Sequence, residues 1–599
     1  MSDFFQEDEA AIGNVLDRHI AGRLLSYLRP YRWLIVLISV LMLIGAGLTL
    51  VGPLLVRYAI DEQLDAGRTD QLGFLALLFF GHLVLAFILR YIQDALMALV
   101  GQRVIMDMRL QTFSHLQRMS ISFFDRNPVG RLVTRVTNDI ATIEQAITVG
   151  VVTILANVVM LVAIVVALLL LDWRLALVMY ALLPPLLWSV RYFAEKQRDL
   201  FREQRTWLAR INAFLNETIT GVAVVQLFNR QRESGRRFDR QNQAFLSANL
   251  RFVFWYAVFE PTVVLFAAGT TGAILWYGGN RVLDGSLTIG TMVAFAQFMG
   301  FFYWPLRELA QRYTTLQQAM ASAERVFGVL DTPEDLTDAA DPDHLGDRIF
   351  GKIEFRNVWF AYSDEHWVLK DVSFTVQPGE WVAVVGATGA GKTTILSLLT
   401  RFYDVQRGQI LVDDVPIERL PQRELRRHVG LMLQEPFIFT DTIEENVRLR
   451  DESISPDQVR HAAEQIGAAA FIERLPEGFA TMLAERGGNL STGQKQLIAL
   501  ARVAAFNPEI VLVMDEATAS IDPETEETIQ RGIREVMTER SSIVIAHRLN
   551  TIRAVDRILV LDHGTLVEEG THEQLLALRG QYHRLYELQY RDDVLVGGA

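Results

Sequence analysis

Long apolar runs fill the first half of the chain, whereas the second half alternates short β-like runs with helical patterns. Each apolar run approaches the ~20 helical residues that cross a bilayer core of ~30 Å, so the runs predict membrane-spanning helices. No small-residue cleavage site follows the first run, so we expect it to be retained. Residues 14–30 before it are amphipathic, which is typical of an interfacial elbow helix. The six predicted spans cover residues 34–56, 72–96, 150–171, 175–192, 252–277 and 287–305.

The charge of the loops between these runs predicts the orientation of the chain. Two loops are long and basic, with six arginines in residues 99–142 and twelve Lys/Arg in residues 191–251. Loops 57–71 and 278–286 contain two arginines and one arginine, respectively. Because positive loops remain cytoplasmic, we expect the N-terminus, both long loops and everything after the last span to lie in the cytoplasm.

Both long loops are helix-forming and contain almost no glycine or proline before Asn127-Pro128-Val129-Gly130. At 1.5 Å per residue, about 20 helical residues beyond the membrane would extend ~30 Å into the cytoplasm. We therefore expect the spans to continue as helical stalks, with each pair of stalks turning near residues 120–139 and 216–231.

Composition limits the class of protein. Of the 599 residues, 50% are hydrophobic and 21% charged, which excludes a disordered chain. A mean hydropathy of +0.20 favours a membrane protein. The net charge of −13 argues against a nucleic-acid partner. The chain has no cysteine, so disulfides, thiol catalysis and Cys-ligated metal sites are excluded.

The character of the sequence changes after residue 330. Residues 331–351 are rich in Asp and Pro, as is typical of a linker. From residue 352 to about 590, short β-like runs alternate with helical patterns, which predicts an α/β domain with a mainly parallel sheet. We therefore divide the chain into a transmembrane domain (1–330), a linker and an α/β domain (352–590). The β-like runs cover residues 353–360, 381–385, 409–412, 510–514, 542–545 and 558–561.

A phosphate-loop motif, GATGAGKT at residues 386–393, follows the apolar run 381–385 and precedes a helical pattern. Its glycines permit a tight turn whose backbone N–H groups face one anion, and the helix N-terminus adds to the attraction. We expect Lys392 to reach the β- and γ-phosphates and Thr393 to hold Mg²⁺. The predicted binding residues of this loop are Gly386, Gly389, Gly391, Lys392 and Thr393.

The apolar run 510–514 ends in two acids, Asp515 and Glu516. Such a pair is often only a solvated strand end. With the phosphate loop present, Asp515 fits as a partner of the Mg²⁺ site and Glu516 as the carboxylate that polarises the attacking water. The two motifs together predict phosphoryl transfer to water.

The segment Leu490-Ser491-Thr492-Gly493-Gln494, some twenty residues before the acidic pair, resembles the signature sequence of ABC transporters. The resemblance implies that Ser491, Gly493 and Gln494 contact nucleotide, and that Thr394 belongs to the same binding set. The other family elements follow in the family's order: Tyr362 as the residue that stacks on adenine, Gln434 as the catalytic and metal-contacting Q-loop glutamine, 485–487 as the exporter-type X-loop, 520–522 as the D-loop and His547 as the switch histidine.

The membrane half is similar to the exporter-fold (type IV) half-transporters of this family. Residues 123–139 are similar to the family's first intracellular loop, and residues 216–228 to its second. The resemblance implies six transmembrane helices with long cytoplasmic stalks, a coupling helix at each stalk tip, and an α/β phosphate-loop ATPase domain. It also implies a dimer in which each ATP lies between one subunit's phosphate loop and the other subunit's signature.

Thr492 departs from the family pattern, which has glycine at this position of the signature. A β-branched residue restricts φ and ψ and adds a methyl group where backbone should approach a phosphate. In heterodimeric bacterial exporters, the chain with the intact glutamate often has an altered signature. We therefore expect a different partner chain with a degenerate glutamate; a homodimer that tolerates threonine is the alternative.

Two polar residues in the apolar runs are candidates for the substrate site. An ionisable group at membrane depth is costly unless it faces water or a partner, so Glu260 is a candidate contact for cationic substrates. The alternative is that Glu260 lies below the hydrocarbon on a stalk. Gln297, beside an aromatic run, is the second candidate, although such aromatic residues more often face lipid or pack between helices.

The resemblance implies an ATP-driven exporter of hydrophobic or amphipathic compounds, of the multidrug type, in a bacterial cytoplasmic membrane. Its cofactors would be ATP and Mg²⁺, and its partners a second half-transporter and membrane lipid. A lipid flippase of the same fold is one alternative. A regulatory ABC protein that binds ATP without pumping is another, and the presence of Glu516, Gln434 and His547 argues against it.

Overall fold

The protein is described by a computed structural model over residues 18–65, 67–68, 70–145, 152–346, 348–363, 366–515, 522–546 and 549–596. Two compact units are present. The first comprises Met1–Gln117 and Gly130–Thr332, and the second comprises Arg118–Val129 and Pro333–Ala599. The segment 118–129 therefore belongs to the unit that contains the phosphate loop, although it lies within the membrane half of the sequence.

In the part of the membrane half that the structure describes, all regular secondary structure is helical. Short π-helical segments, Ala59–Leu64, Arg135–Asp139 and Ile274–Gly278, interrupt the longer helices. The α-helices are α1 (Arg18–Ser26), α2 (Arg32–Tyr58), α3 (Leu72–Arg118), α4 (Ile121–Arg126), α5 (Val129–Thr134), α6 (Ile140–Gln145), α7 (Val152–Leu171), α8 (Trp173–Tyr180), α9 (Leu183–Thr220), α10 (Val222–Leu227), α11 (Gln231–Ala273), α12 (Gly279–Leu283) and α13 (Ile289–Leu330).

The described residues of the predicted spans are helical except at two places: a turn at residues 181–182 interrupts the fourth span, and residues 287–288 precede the helix of the sixth. Among the described residues, four helical stretches are long and apolar enough to cross a membrane: Arg29–Leu64, Leu72–Arg118, Trp173–Thr220 and Gln231–Leu283. Shorter apolar helices, Asn157–Leu171 and Ile289–Phe302, cover the two remaining predictions. Residues 14–17 of the predicted elbow helix and residues 150–151 of the third span lie outside the described residues.

Helices α3, α9, α11 and α13 are each far longer than a bilayer requires, as the stalk prediction expects. Their lengths are 47, 38, 43 and 42 residues. At 1.5 Å per residue, even the shortest measures about 57 Å. The turns between the stalks contain the short helices α4 and α10, and Gly221 separates α9 from α10.

Two apolar clusters hold the first unit together. One joins Leu24 of α1, Ile38 of α2, Met108 of α3, Ile140 of α6 and Val326 of α13, all of which are buried. The second cluster joins α7, α8, α9 and α13 through side chains that include Phe295 and Phe298. Helix α13 contributes to both clusters, so it is the common packing partner of the elements in this unit.

An ion pair between a buried carboxylate and a partly exposed arginine joins the first intracellular loop to α13 within this unit. Asp139 accepts from the Arg325 guanidinium at 3.1 Å (Nε) and 2.5 Å (Nη2), and from the Ser322 hydroxyl at 2.9 Å. The Asp139 side chain is only 9% exposed. A buried carboxylate requires such partners, because an uncompensated buried charge is strongly destabilising.

The variant Asp139→Asn is expected to lower the free energy of unfolding by about 2 kcal/mol, because it removes the buried negative charge that the Arg325 guanidinium contacts. Thermal unfolding of the detergent-solubilised protein measures the effect. Glu203→Gln is a matched control, since the Glu203–Arg251 pair at 2.6 Å is 39% and 55% exposed and should contribute less than about 1 kcal/mol. Equal shifts in the two variants would contradict a structural role for the buried pair.

The second unit contains two β-sheets. One sheet has the strand order β2-β1-β4-β5, and the other has the order β10-β9-β3-β8-β7-β6. The strands are β1 (Ile353–Ala361), β2 (Trp367–Val376), β3 (Trp381–Gly386), β4 (Arg407–Val412), β5 (Val415–Pro416), β6 (Val429–Met432), β7 (Ile510–Asp515), β8 (Ser541–Ala546), β9 (Arg557–Asp562) and β10 (Thr565–Gly570).

The prediction of one mainly parallel sheet is correct for the second sheet and wrong for the first. Strands β3, β6, β7, β8 and β9 pair in parallel, and only β10 is antiparallel there. The predicted runs 353–360 and 409–412 instead pair antiparallel with each other, for example at Ile353↔Val412. Burial explains the difference: β3 is buried along its central residues, whereas β1 has exposed and partly exposed positions along its length.

One large apolar cluster packs helices against the parallel sheet. It includes Val511 and Val544 of the sheet and Ile498 of the helix Thr492–Phe506. The helix after the phosphate loop begins at Lys392 and ends at Leu399. The helices are α14 (Lys392–Leu399), α15 (Gln422–His428), α16 (Ile443–Arg448), α17 (Pro456–Gln465), α18 (Ala469–Ile472), α19 (Thr492–Phe506), α20 (Pro523–Met537), α21 (Leu549–Ala554), α22 (His572–Leu578) and α23 (Gln581–Val596).

Candidate active site

The parallel sheet brings the sequence-predicted motifs to one edge. Parallel strands present their carboxyl ends together, and ligands of α/β proteins bind beyond that edge. Strand β3 ends at Gly386 and leads into the phosphate loop, and β7 ends at Asp515. Asp515 pairs with Ala546, the last residue of β8. Glu516 and His547 directly follow these strand ends in sequence, but they lie outside the described residues.

The phosphate loop has the conformation that its glycines permit. Gly391 has φ = +99° and is the N-cap of α14, and a Cβ placed there would lie 2.7 Å from Leu369 Cδ2. Only glycine combines this φ with so close a neighbour. The loop therefore delivers backbone N–H groups and the N-terminus of α14 to a common side, which suits an anion.

Lys392 is buried in this loop. Its Nζ donates to the carbonyl oxygens of Gly386 at 2.8 Å and Ala387 at 3.0 Å. The adjacent residues differ in exposure, because Thr393 is exposed whereas Thr394 is buried. The lysine ammonium is thus held at the loop, next to an accessible hydroxyl, as a phosphate and metal site requires.

The available donor set fits Mg²⁺. Thr393 is the second residue of α14, and the backbone of Asp515 ends a strand at the same sheet edge. Both residues offer hard oxygen ligands. Among the described residues, no group of three or more His, Cys, Asp or Glu side chains could hold a metal ion.

Gln434 follows β6, which is the neighbour of β7 in the sheet, and is partly buried. The backbone carbonyl oxygen of Gln434 accepts a hydrogen bond from Gln496 Nε2 of α19 at 3.4 Å. This contact links the Q-loop to the helix that starts at the signature. Sequence analysis did not identify Gln496, because a glutamine in the helix after the signature carries no pattern that separates a backbone contact from a solvated side chain.

The signature forms the start of α19. Ser491 is the exposed N-cap residue, and it makes a capping box with Gln494: its Oγ accepts from Gln494 N at 3.3 Å, and Gln494 Oε1 accepts from Ser491 N at 2.9 Å. Gly493 is buried, whereas Ser491 and Thr492 are exposed. The helix N-terminus and the Ser491 side chain are therefore accessible to a ligand on a facing surface.

The restriction that β-branching places on φ and ψ causes no strain at Thr492. Thr492 is the first helical residue of α19 and is not among the residues with positive φ. A β-branched residue at a helix N-terminus needs no unusual backbone angle, so the φ/ψ argument for glycine does not apply. The remaining difference from glycine is that Thr492 adds side-chain bulk to an exposed surface.

Tyr362 follows β1 and is 46% exposed, so one side of its ring is accessible. Its hydroxyl shares a 3.1 Å hydrogen bond with Thr394 Oγ1, directly after the phosphate loop. Its ring contacts Phe360 edge-on, with centroids 4.8 Å apart. The aromatic ring is thus fixed beside the phosphate loop, where the sequence expects adenine.

The variant Tyr362→Ala is expected to weaken ATP binding about tenfold, the usual magnitude for loss of one base–aromatic stack. Tyr362→Phe keeps the ring and should change the dissociation constant less than about threefold. Equilibrium binding of radiolabelled ATP to both purified variants measures this. An alanine variant that binds ATP as well as the parent chain would contradict the stacking role.

The loop between α14 and β4 contains a second aromatic residue that sequence analysis missed. The Tyr403 ring lies edge-on to Tyr362, with centroids 5.1 Å apart, and its hydroxyl donates to the carboxylate of Asp125 in α4. Burial and this acidic acceptor raise the pKa of Tyr403 above its usual value. The only sequence signal is an aromatic pair shortly after the phosphate-loop helix, and it does not reveal the partner 278 residues away.

The D-loop lies partly outside the described residues, since 520 and 521 are not described. Asp522 is the N-cap of α20, and its carboxylate accepts from Thr525 N at 2.9 Å. This hydrogen bond lowers the pKa of Asp522. Arg486 of the X-loop has φ = +54° within a short 3₁₀ segment, Glu485–Gly487.

The two substrate candidates lie in the other unit. Glu260 is exposed on α11, one residue before the internal Pro261. Gln297 is half-buried on α13 and lies between the fully buried Phe295 and Phe298. Gln297 therefore sits at the margin of an apolar cluster.

Comparison with known proteins gives matches over both halves of the chain. A family model described as the ABC transporter transmembrane region matches residues 35–306, and one described as ABC transporter matches residues 369–519. An ATP-dependent lipid A-core flippase of Syntrophus aciditrophicus is 36% identical over 578 residues, covering 96% of this chain and 95% of the relative.

Two further proteins are similar over most of their length. A Bacillus subtilis protein named "Probable multidrug resistance ABC transporter ATP-binding/permease protein YheH" is 39% identical over 517 residues, covering 86% of this chain and 76% of the relative. A solved structure of a bacterial Atm1-family ABC exporter with ATP bound superposes with a TM-score of 0.76 at 28% identity, covering 93% of this chain and 98% of the other.

Proposed function

Because this chain belongs to the ABC transporter family, as an exporter-fold half-transporter with an ATPase domain, we propose that it exports hydrophobic or amphipathic compounds across a bacterial cytoplasmic membrane. The observation that carries the proposal is that strands β3, β7 and β8 end at one edge of the parallel sheet. The phosphate loop follows β3, Asp515 ends β7, and Glu516 and His547 are the next residues in sequence after β7 and β8. The proposed division is a transmembrane domain (1–330), a linker (331–351) and an ATPase domain (352–590).

In the proposed mechanism, the N-terminus of α14 and Lys392 bind the β- and γ-phosphates. Thr393, Asp515 and Gln434 would hold Mg²⁺, which supplies positive charge that neutralises the phosphates when bound. Glu516 orients and polarises the attacking water, and His547 contacts the γ-phosphate. Little covalent chemistry is required of the protein, so positioning and charge stabilisation supply most of the acceleration.

We propose that hydrolysis takes place between two chains. Ser491 and the N-terminus of α19 are exposed, so they can donate hydrogen bonds to the γ-phosphate of ATP held by a partner subunit. Binding of ATP then favours closure of the two ATPase domains, and hydrolysis removes the ligand that joins them. The stalk tips convert closure and opening into outward- and inward-facing arrangements.

The proposed partner is a different half-transporter with a degenerate glutamate. Thr492 adds bulk to the surface that faces the partner's nucleotide, whereas this chain retains Glu516 and His547. Lys392, Asp515, Glu516 and His547 would therefore serve the competent site, and residues 490–494 the weaker one. A stable dimer of this chain alone, with transport-coupled ATPase activity, would overturn the heterodimer proposal.

Transport of rhodamine 6G, a lipophilic cation, into inverted membrane vesicles tests the proposed export. ATP-dependent uptake is expected with the intact transporter and not with Lys392→Met, which lacks the phosphate-binding ammonium. Glu260→Gln and Gln297→Leu test the proposed substrate contacts: both should weaken the apparent dye affinity, and unchanged uptake in either variant would remove that residue from the site.

A lipid flippase is the second candidate, and the similarity to a lipid A-core flippase favours it. The two functions differ in substrate and share the ATP mechanism. Proteoliposomes that contain fluorescently labelled phosphatidylethanolamine distinguish them, because a flippase moves the lipid between leaflets in an ATP-dependent manner. Lipid movement without dye uptake would replace the proposed multidrug export with lipid export.

A further inference from the structure

Three polar contacts join the segment that contains the first coupling helix, α4, to the rest of the ATPase unit. Arg118, just before it, pairs with Glu334 at 2.7 Å, and the Ser122 hydroxyl donates to Asp335 at 3.3 Å. The third contact is the hydrogen bond from the Tyr403 hydroxyl to the carboxylate of Asp125. The first two contacts reach residues 334 and 335 of the linker region, whereas the third reaches the nucleotide-binding fold itself.

Tyr403 also touches the aromatic residues of the ATP site. Its ring lies 5.1 Å from the Tyr362 ring at an interplanar angle of 88°, and 5.6 Å from the Phe360 ring at 63°. Aromatic pairs in such edge-on arrangements attract each other and restrict each other's rotation. One end of Tyr403 therefore binds α4, and its ring limits the positions open to Tyr362.

The backbone beneath the two tyrosines is joined as well. Gln406 Oε1 accepts from Ala361 N at 3.0 Å, and Gln406 Nε2 donates to Ala361 O at 2.8 Å. Ala361 directly precedes Tyr362. Arg401, at the other end of the same loop, is buried and donates to Leu420 O at 2.9 Å. The loop 401–406 is thus held by hydrogen bonds at both ends, and it connects Tyr403 to the strand end that carries Tyr362.

We propose that Tyr403 is a positioning residue that relays the position of α4 to Tyr362 of the same chain. Movement of α4 then shifts the ring expected to stack on adenine, and ATP bound against that ring favours one position of α4. The relay rests on the proposed function only in taking Tyr362 as an ATP contact, and it requires no partner subunit.

A single cysteine on α4 can test the relay, because the chain contains no native cysteine. Ile121→Cys places the probe at the first residue of α4, where the side chain is 40% exposed. In a Glu516→Gln chain, saturating ATP is expected to change the rate of labelling by a fluorescent maleimide about fivefold or more. Adding Tyr403→Phe should reduce the ATP effect to less than about twofold.

The variants separate a relay from a general structural role. Tyr403→Phe keeps the ring contacts and removes only the hydroxyl, and Asp125→Asn weakens the same hydrogen bond from the other side. The double variant should reduce the ATP effect on labelling no more than either single variant does, because both changes act on the same hydrogen bond. Ser122→Ala is the matched control on α4, and it should retain the full ATP effect.

Three results would overturn the relay. They are labelling of the parent chain that does not respond to ATP, a full ATP response in Tyr403→Phe, and additive losses in the double variant. ATP binding is measured in each sample, so loss of binding is recognised separately. Failure of the proposed export function is distinguishable, because a chain that transports neither dye nor lipid can still show the ATP-dependent labelling.

Discussion

Replacement of Glu516 by glutamine is expected to lower ATP turnover about a thousandfold while ATP remains bound. A carboxylate that polarises the attacking water contributes typically 10²–10⁴-fold to the rate, and glutamine cannot accept the proton. Strand β7 ends at Asp515, at the sheet edge that also carries the phosphate loop, and Glu516 is the next residue in the sequence. Phosphate release by the purified transporter measures turnover, and retention of radiolabelled ATP measures binding.

Glu509→Gln is the matched control for this experiment. Glu509 lies at the opposite end of β7, where its carboxylate shares a 2.7 Å hydrogen bond with His428 Nδ1. Because that pair is remote from the carboxyl end of the strand, its loss should change turnover less than about twofold. Normal turnover in Glu516→Gln would mean that another group activates the water, and loss of ATP binding would point to a structural role.

The second large effect is expected from Gly391→Ala, which should weaken ATP binding at least about a hundredfold. The positive φ of +99° costs a non-glycine residue about 1–2 kcal/mol. The new Cβ would lie 2.7 Å from Leu369 Cδ2 and 3.1 Å from Val368 O, and relieving such overlap costs typically 1–3 kcal/mol. The loop must shift to relieve both, and its N–H groups then no longer face one anion.

The control variant Gly379→Ala separates the effect of backbone strain from the effect of steric overlap with the new Cβ. Gly379 also has a positive φ, +75°, but no atom lies within 4 Å of the position its Cβ would occupy. This control should therefore lose about 1 kcal/mol of stability and keep ATP binding. Equilibrium ATP binding and thermal unfolding of the two variants provide the comparison. Similar ATP affinities in both would contradict the conformational role assigned to Gly391.

Much of the architecture could be predicted from the sequence because its signals are local. Apolar runs of about 20 residues identify membrane helices directly, since hydrocarbon leaves few alternatives for the backbone. The strand runs of the second half were also placed within a few residues. Their assignment to one sheet failed for β1 and β4, because a short apolar run does not specify whether its partner is parallel or antiparallel.

The candidate site was predictable where chemistry and spacing coincide. The phosphate loop and Asp515 each follow an apolar strand, and parallel strands necessarily bring such ends together. Thr492 shows the limit of this reasoning. The family pattern suggested a backbone need for glycine, yet a position that begins a helix accepts threonine without strain.

The contact of Tyr403 with Asp125 could not be predicted from the sequence. The two residues are 278 positions apart and lie in segments of different apparent domains. Neither a tyrosine nor an aspartate at such positions indicates its partner, and only tertiary structure brings them together. The same holds for the pairing of Gln406 with Ala361, which depends on the approach of a loop to a strand end.

The central claim is that ATP is hydrolysed between two chains to drive a membrane transporter. The most direct test is native mass spectrometry of the tagged chain extracted from the membranes of its source cells, with ATPase activity recorded across the same size-exclusion fractions. We predict that the 67.8-kDa chain occurs in complex with a second half-transporter and that activity follows the complex. A water-soluble monomer that hydrolyses ATP at the full rate would contradict the claim.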